Sequence, residues 1–254
     1  MDRRNFLKTG GIALLGSLAT GSAMALTTPG ALGGEGADKK AAVALAMNHF
    51  GVSEADLKKV LAAALEKGGD YADLFFEHTI SNSIRLMDGA VNNSYSNIDY
   101  GVGVRVLTGD QSGYAYVENI TVEDMLKAAR TAARIASANK GNKPLNLTEK
   151  ELKKNYYTVA SPWEEVSLKD KMPYLQKLND RIFALDKRVH KVQASQSDTT
   201  SHIFFCNSEG VMFYDYRPMV TLGAVCIMEE DGKTENGYAA RAYRRGFDFL
   251  SDEV

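Results

Sequence analysis

The sequence contains little cysteine and histidine, and neither sign of charge predominates. Its 254 residues include 2 cysteines and 4 histidines, and 30 basic against 32 acidic residues give a net charge of −2 at pH 7. Two cysteines are too few for a disulfide scaffold, and they lack the paired spacing of a zinc ribbon. Without an excess of basic residues, the chain has no electrostatic signature of nucleic-acid binding, so we expect no nucleic-acid partner. The composition, 44% hydrophobic and 24% charged, is typical of a globular protein with a sizeable core.

Sequence motifs of hydrolytic enzymes are absent. The chain has no HExxH or HExxxH pair to place two imidazoles and a glutamate around a metal, and no GxSxG nucleophile turn. The four histidines are scattered along the sequence: His49, His78, His190 and His202. His78 shares one face of a predicted strand with Leu74 and Phe76, which favours a structural, partly buried histidine. We therefore assign no catalytic, cofactor-binding or metal-binding residue to this chain.

The cysteines and the glycine-rich stretch also favour structural roles. Cys206 closes the apolar run HIFFC and Cys226 lies in GAVCIM, so both are predicted to be small core residues. A disulfide between them is the alternative in an oxidising compartment. The stretch GVGVRV at 101–106 lacks GxGxxG spacing and a following helix, which argues against a phosphate loop. We interpret it as a strand in which Gly103 lies at a close backbone approach.

The N-terminus has the features of an export signal: a basic start, an apolar run and small residues before a cleavage site. These features are carried by Arg3, Arg4, Phe6, Leu7, Ala23 and Ala25. The adjacent arginines resemble the twin-arginine type, which is an address read by a receptor. The alternative is a single membrane anchor, but the apolar run is short and interrupted by glycines. We expect export to the periplasm, with membrane contact only transiently through the signal.

Helix caps and alternating apolar residues predict an α+β fold. A short alanine-rich helix is predicted over 41–50, and Ser53, Thr121 and Ser167, each followed three residues later by aspartate, predict the starts of three more. The last has a predicted inward stripe of Met172, Leu175, Leu178, Ile182 and Leu185. Period-two alternation predicts strands at 72–81, 84–87, 91–95, 101–107, 113–117, 189–196, 203–206, 211–216, 220–228 and 237–243. The short connections exclude crossover helices, so we predict one large, twisted antiparallel sheet with helices packed on one face.

The predicted elements form two similar helix-plus-meander halves. We assign 1–39 to the signal and a flexible lead-in and 40–254 to the folded region, with a first half at 53–139, a linker at 140–161 and a second half at 162–254. In each half, an acidic-glycine turn precedes a tyrosine-bearing strand, and the corresponding motifs are about 121 residues apart. The pattern fits a duplicated unit or one large sheet built from two similar parts. Independent recurrence of hairpin motifs is the remaining alternative.

Four stretches, in order, resemble a known family. They are GGDYADLFFE (68–77), IRLMDGAV (84–91), SNIDYGVGVRV (96–106) and GDQSGYAY (109–116). Together they resemble the N-terminal domain of TldD, from the TldD/PmbA family of zinc metallopeptidases, in which PmbA is also called TldE. The resemblance runs from about 53 to 138 and continues more loosely to the C-terminus.

This resemblance implies a peptidase that acts on unfolded peptides, with an HExxxH zinc site in a TldD-like subunit and a PmbA-like partner. The zinc motif would be expected beyond Val254, so we predict that the chain is a non-catalytic N-terminal portion. Zinc would then belong to the complete family protein, which would be a homo- or heterodimer with a TldD/PmbA-type subunit. The alternative is a stand-alone peptide-binding or assembly module that acts through a sheet edge. The tyrosines suited to such a surface are Tyr95, Tyr100, Tyr114 and Tyr116.

Overall fold

The computed structural model describes residues 39–136, 146–150, 159–248 and 250. Its helices are α1 (Lys39–Phe50), α2 (Glu54–Leu65), α3 (Val122–Ile135) and α4 (Leu168–Leu185), with a 3-10 turn at Trp163–Glu165. Its strands are β1 (Tyr71–Met87), β2 (Ala90–Thr108), β3 (Gln111–Val117), β4 (Thr148–Glu149), β5 (Val189–Asn207), β6 (Val211–Glu230) and β7 (Lys233–Tyr243). In the described part of the chain, no helix combines the length and hydropathy that crossing a membrane requires.

Several sequence predictions fall outside these residues. The signal residues Arg3, Arg4, Phe6, Leu7, Ala23 and Ala25 lie there, as does most of the predicted linker. Within the linker, β4 pairs in parallel with the start of β6. The predicted sheet therefore carries a short parallel edge in addition to its antiparallel strands.

A central pair of strands, β1 and β5, joins two meanders into one sheet. The order is β3-β2-β1-β5-β6, and β6 also pairs with β4 and β7. Each of the pairings β1–β2, β2–β3, β1–β5, β5–β6 and β6–β7 is antiparallel. Helices in the described part pack on the face formed by even-numbered residues of β1. The predicted α+β class, with a large antiparallel sheet, is confirmed.

Among the described residues, the strands are longer and fewer than the sequence predicts. β1, β2, β5 and β6 are each continuous where apolar alternation predicts two shorter strands. Polar segments interrupt the apolar pattern but remain in the ladder, because their hydroxyls bond across strands on the open face. A hydrogen bond joins the hydroxyls of Thr79 and Ser201 at 2.8 Å, and Ser197 Oγ donates to Ser83 Oγ over 3.0 Å.

Local signals for turns and helix starts are confirmed. The backbone of Asp88 and Gly89 has φ of 50° and 79°, the left-handed geometry that a tight hairpin requires. Ser53 and Asp56 form a capping box at the start of α2, and Thr121 caps α3. The prediction for the end of α4 is wrong, since Leu185 is 81% exposed. The predicted Leu175 is buried, and the predicted Met172 and Leu178 pack against the same core. Lys171 and Asn179, one turn on either side of Leu175, are buried as well.

Both cysteines are free. Cys206 is fully buried, which confirms a core position, whereas Cys226 is half-buried. They lie near opposite ends of the β5–β6 ladder, where Cys206 pairs with Met212 and Cys226 pairs with Val192. This separation excludes the disulfide considered from the sequence.

Candidate functional site

A band of polar side chains separates two hydrophobic cores on the helix-covered face of the sheet. The larger core lies under α1, α2 and α3, and the smaller one surrounds Trp163 and Leu175. Between them, β1, β5 and β6 contribute His78, Asn82, Asp198, Thr200, His202 and Tyr216. His49 of α1, Glu164 of the 3-10 turn and Lys171 of α4 join this polar band from the helical side.

Three of the four histidines come together in the polar band. His78 and His202 are direct partners in the β1–β5 ladder, and the ring of His49 stacks about 5 Å from both. A hydrogen bond joins His49 Nε2 and His78 Nδ1 at 2.8 Å. The three histidines are scattered along the sequence but are neighbours in the fold, because strand pairing brings together positions more than a hundred residues apart. The sequence alone did not predict this cluster. The prediction that His78 is partly buried and hydrogen-bonded is confirmed.

His202 is the most constrained member of this cluster. Its side chain is buried, and its Nε2 lies 2.5 Å from Glu164 Oε1. Its Nδ1 lies 2.7 Å from the hydroxyl of Tyr214. Burial raises the pKa of Tyr214, so that hydroxyl stays protonated at neutral pH. Both ring nitrogens of His202 therefore have fixed partners.

The other two histidines are held neutral. Desolvation, followed by repulsion from His202 and His78, lowers the pKa of His49 to about 4. Desolvation also lowers the pKa of His78, and His202 contributes to that shift. Neutral imidazoles suit the observed His49–His78 hydrogen bond, because one ring nitrogen donates and the other accepts.

The cluster does not fit a zinc ion. Zinc requires ligand nitrogens that converge on one point at about 2.0–2.1 Å. Here the nitrogens of His49 and His78 face one another, and both nitrogens of His202 are occupied by Glu164 and Tyr214. Across the described ranges, no group of three or more histidine, cysteine, aspartate or glutamate residues is arranged to hold a metal ion.

A buried ion pair forms the other end of the polar band. Lys171 Nζ lies 2.6 Å from Asp198 Oδ2, and both side chains are almost fully buried. Asn82 and Gln196 donate further hydrogen bonds to Asp198 at 3.1 and 3.0 Å. Lys171 Nζ also lies 5.4 Å from the centre of the Trp163 ring. These contacts fix α4 on the sheet, because an unpaired charge here would be costly.

The outer edge of β2 is free over more than half its length. β3 pairs with β2 only from Val102 to Thr108. In the described part of the chain, no strand pairs with the outer side of 90–100, and every residue there is exposed. Tyr95 and Ile98 expose 59% and 61% of their surface. Alternate residues of such an edge direct backbone N–H and C=O groups outward, where another strand could bind.

Two clefts flank this free edge, one on each face of the sheet. The helix-side cleft, about 370 Å³, lies between Ser94–Ser96 and the segment that carries Trp163 and Lys171. The open-face cleft, about 430 Å³, lies where β3 ends and the free edge begins. Its aromatic walls and acidic rim are Phe75, Tyr114, Tyr116, Glu77, Asp99 and Glu118, around Gly101 and Gly103.

The glycines of this stretch explain the shape of the open-face cleft. A Cβ at Gly101 would lie 2.5 Å from the carbonyl oxygen of Val117, so close backbone approach occurs there. A Cβ at Gly103 would instead lie 2.6 Å from the hydroxyl oxygen of Tyr114. Gly103 is therefore approached by an aromatic side chain, which corrects the predicted backbone contact at this position.

Two family models match the chain in consecutive segments. Residues 72–136 match the PmbA/TldA metallopeptidase domain 1, and residues 161–254 match the PmbA/TldA metallopeptidase central domain. Together the matches cover more than half of the sequence. They include β1, β2, β3 and α3 in the first segment and α4 with β5, β6 and β7 in the second.

Similar proteins share this assignment. A "Metalloprotease TldD homolog" of Haemophilus influenzae is 31% identical over 189 residues, which cover 73% of this chain and 39% of that protein. The chain spans about two fifths of the length of the curated relatives it matches.

Solved structures share the fold. A putative modulator of DNA gyrase from Bacteroides thetaiotaomicron aligns with a TM-score of 0.60 at 13% identity, over 75% of this chain and 45% of that one. TldE from Thermococcus kodakarensis aligns with a TM-score of 0.53 at 15% identity, over 74% of this chain and 43% of that one. The two domain matches, supported by the curated TldD relatives, show that the chain belongs to the TldD/PmbA metallopeptidase family.

Proposed function

We propose that this chain is the non-catalytic N-terminal portion of a TldD-like zinc metallopeptidase that degrades or processes unfolded peptides. One observation carries this proposal: domain 1 and the central domain match in order, while the described residues contain no group suited to zinc. We assign the zinc of the complete protein to sequence other than these residues. No step of hydrolysis is assigned to the histidine cluster.

The contribution of this chain is to hold an extended peptide at the sheet. The free edge of β2 offers backbone hydrogen bonds that suit an unfolded peptide of any sequence. Clefts on both faces of that edge can receive alternate side chains, since neighbouring residues of a strand point to opposite faces. A homo- or heterodimer with a TldD/PmbA-type subunit is part of this proposal, and the structural similarity to TldE supports it.

The proposal that zinc and hydrolysis belong to other sequence can be tested on the purified 254-residue chain. Zinc content is measured by atomic emission, and cleavage is measured with a fluorescently labelled, unstructured protein substrate. We expect less than stoichiometric zinc and no turnover. One zinc per chain, or turnover that resists removal of contaminating proteases, would show that the chain has its own catalytic site.

A stand-alone peptide-binding or assembly module is the second candidate function, and the length of the free β2 edge favours it. The genomic DNA after the codon for Val254 separates the two candidates. An open frame that encodes HExxxH supports the metallopeptidase portion, whereas a stop codon at that point supports the stand-alone module. Both candidates use the β2 edge to bind a peptide.

A further inference from the structure

We propose that the open-face cleft is a subsite for one lysine or arginine side chain of an extended peptide bound along the free edge of β2. The inference rests on the peptide binding proposed above and adds a chemical preference to it. The occupant is a polypeptide in the extended conformation, with a basic residue at one defined position.

The position of the cleft follows from strand geometry. A strand added to the outer side of β2 would lie in line with β3, because both pair with the same side of β2. Its end would meet Val117 and Glu118, where β3 stops. Directly opposed residues of neighbouring strands project to the same face. A peptide residue opposite Asp99 would therefore point into the open-face cleft.

Glycine at both β2 positions beneath the cleft lets groups of β3 and of the residues after it close in on the β2 backbone and form the walls of the cleft. At Gly101 the nearby carbonyl of Val117 excludes any side chain, and at Gly103 the ring of Tyr114 leans over the backbone. The resulting volume of about 430 Å³ lies within the range of clefts that bind small ligands. It is large enough for one long side chain of the peptide.

The charge of the cleft selects a basic side chain. Glu77, Asp99 and Glu118 line it, and none forms an ion pair with a basic side chain in the described part of the chain. Thr79 donates a hydrogen bond to Glu77 and Asn97 donates one to Asp99, and neither donor brings a positive charge into the cleft. On the same face, Arg105 is bound to Asp73 by two hydrogen bonds and is not free to neutralise the cleft.

Aromatic walls strengthen this preference. Phe75, Tyr114 and Tyr116 present their rings to the cleft, and each is at least one third exposed. A lysine ammonium or an arginine guanidinium is attracted to such rings in addition to its attraction to carboxylates. An acidic side chain gains neither interaction and is repelled by the acidic rim.

The test uses three labelled octapeptides of alternating threonine and valine, identical except for a central lysine, glutamate or norleucine. Binding to the 254-residue chain is measured by fluorescence anisotropy at low ionic strength. A lysine gains attraction to the acidic rim and a glutamate is repelled by it, so we expect the lysine peptide to bind about tenfold more tightly than the glutamate peptide. The norleucine peptide should lie between them.

Charge variants identify the cleft as the cause. Glu77→Gln with Glu118→Gln should reduce the lysine preference to about threefold or less and leave binding of the norleucine peptide unchanged. The control variant, Glu209→Gln with Glu235→Gln, removes the same number of charges from exposed positions near β6 and on β7. It should retain the full preference, and loss of the preference in the control would overturn the assignment to the open-face cleft.

Edge variants separate failure of the subsite from failure of peptide binding. Along β2, successive backbone N–H groups point alternately towards β1 and outward. A proline therefore leaves the β1–β2 ladder intact at either Ser96 or Asn97, but not at both. Of Ser96→Pro and Asn97→Pro, the variant with the melting temperature of the parent is used. If the proline abolishes binding, but the three peptides bind the parent chain with equal affinity, the subsite alone is overturned. Absence of binding by all three peptides would overturn peptide binding as well. If the chain forms a dimer that dissociates in the proline variant and that no peptide displaces, a second copy of the chain occupies the edge, which overturns the peptide proposal.

Discussion

His78 of β1 and His202 of β5 lie directly opposite one another at the junction between the two meanders, with ring centres 6.0 Å apart. The end of α1 places His49 against both rings. A helix, the first meander and the second meander therefore meet at one small group of imidazoles, in which lowered pKa values keep His49 and His78 neutral. The stability of this junction depends on their protonation.

Acid is expected to destabilise the fold through these histidines. The pKa of His49 falls from 6.5 in the unfolded chain to about 4 in the folded chain, so the unfolded chain binds protons that the folded chain does not. The contribution of His49 to the free energy of unfolding is constant well above pH 6.5 and decreases as pH falls from 6.5 towards 4. Urea unfolding at several pH values measures this decrease.

The variant His49→Gln separates the effect of His49 from that of other titrating groups. It keeps a polar side chain but cannot take up a proton, so its free energy of unfolding should fall less on acidification. His190→Gln is a matched control on an exposed histidine outside the cluster. Equal acid sensitivity of His49→Gln and the parent would contradict the role assigned to His49.

The buried pair of Lys171 and Asp198 should show strong coupling. Lys171→Met leaves the Asp198 carboxylate buried without its cation, which is expected to cost about 3–5 kcal/mol of unfolding free energy. The double variant Lys171→Met with Asp198→Leu removes both charges and should be more stable than Lys171→Met alone. Chemical denaturation of the parent, the two single variants and the double variant gives the four free energies of a double-mutant cycle. Additive losses would show that the two charges do not interact.

Two glycines on neighbouring strands should differ in their tolerance of a methyl group. A Cβ at Gly113 would collide with the backbone of Ala132 in α3 and of Ala136 directly after it, whereas a Cβ at Gly103 meets the exposed ring of Tyr114. Gly113→Ala should therefore lower stability by about 1–3 kcal/mol, as overpacking against backbone does. Gly103→Ala should change the melting temperature much less, because the ring can move. Similar melting temperatures of the two variants would contradict these placements.

Export through a twin-arginine-like signal remains a prediction, since Arg3 and Arg4 lie outside the described residues. Replacing both arginines with lysine keeps the charge but removes the paired guanidinium groups that such a receptor reads. Cell fractionation should find the parent in the periplasm and the variant retained inside the cell. A parent protein that stays with washed membranes would instead support the alternative of a membrane anchor.

Sequence alone determined the features that depend on neighbouring residues. The capping pair of Ser53 and Asp56, the Asp88-Gly89 turn and the apolar alternation of β1 each act over a few residues. Their geometry is therefore present in the local sequence, and so is the family resemblance carried by four short stretches. The α+β class and antiparallel pairing followed from these elements and from the short connections between them.

Tertiary structure decided which distant residues meet. The pairing of His78 with His202 depends on the β1–β5 register, and a shift of one residue would send one imidazole to the opposite face. The open-face cleft likewise required Tyr114 of β3 to fold over Gly103 of β2. Such contacts are set by long-range packing and by the burial of whole faces, which no local pattern of residues encodes.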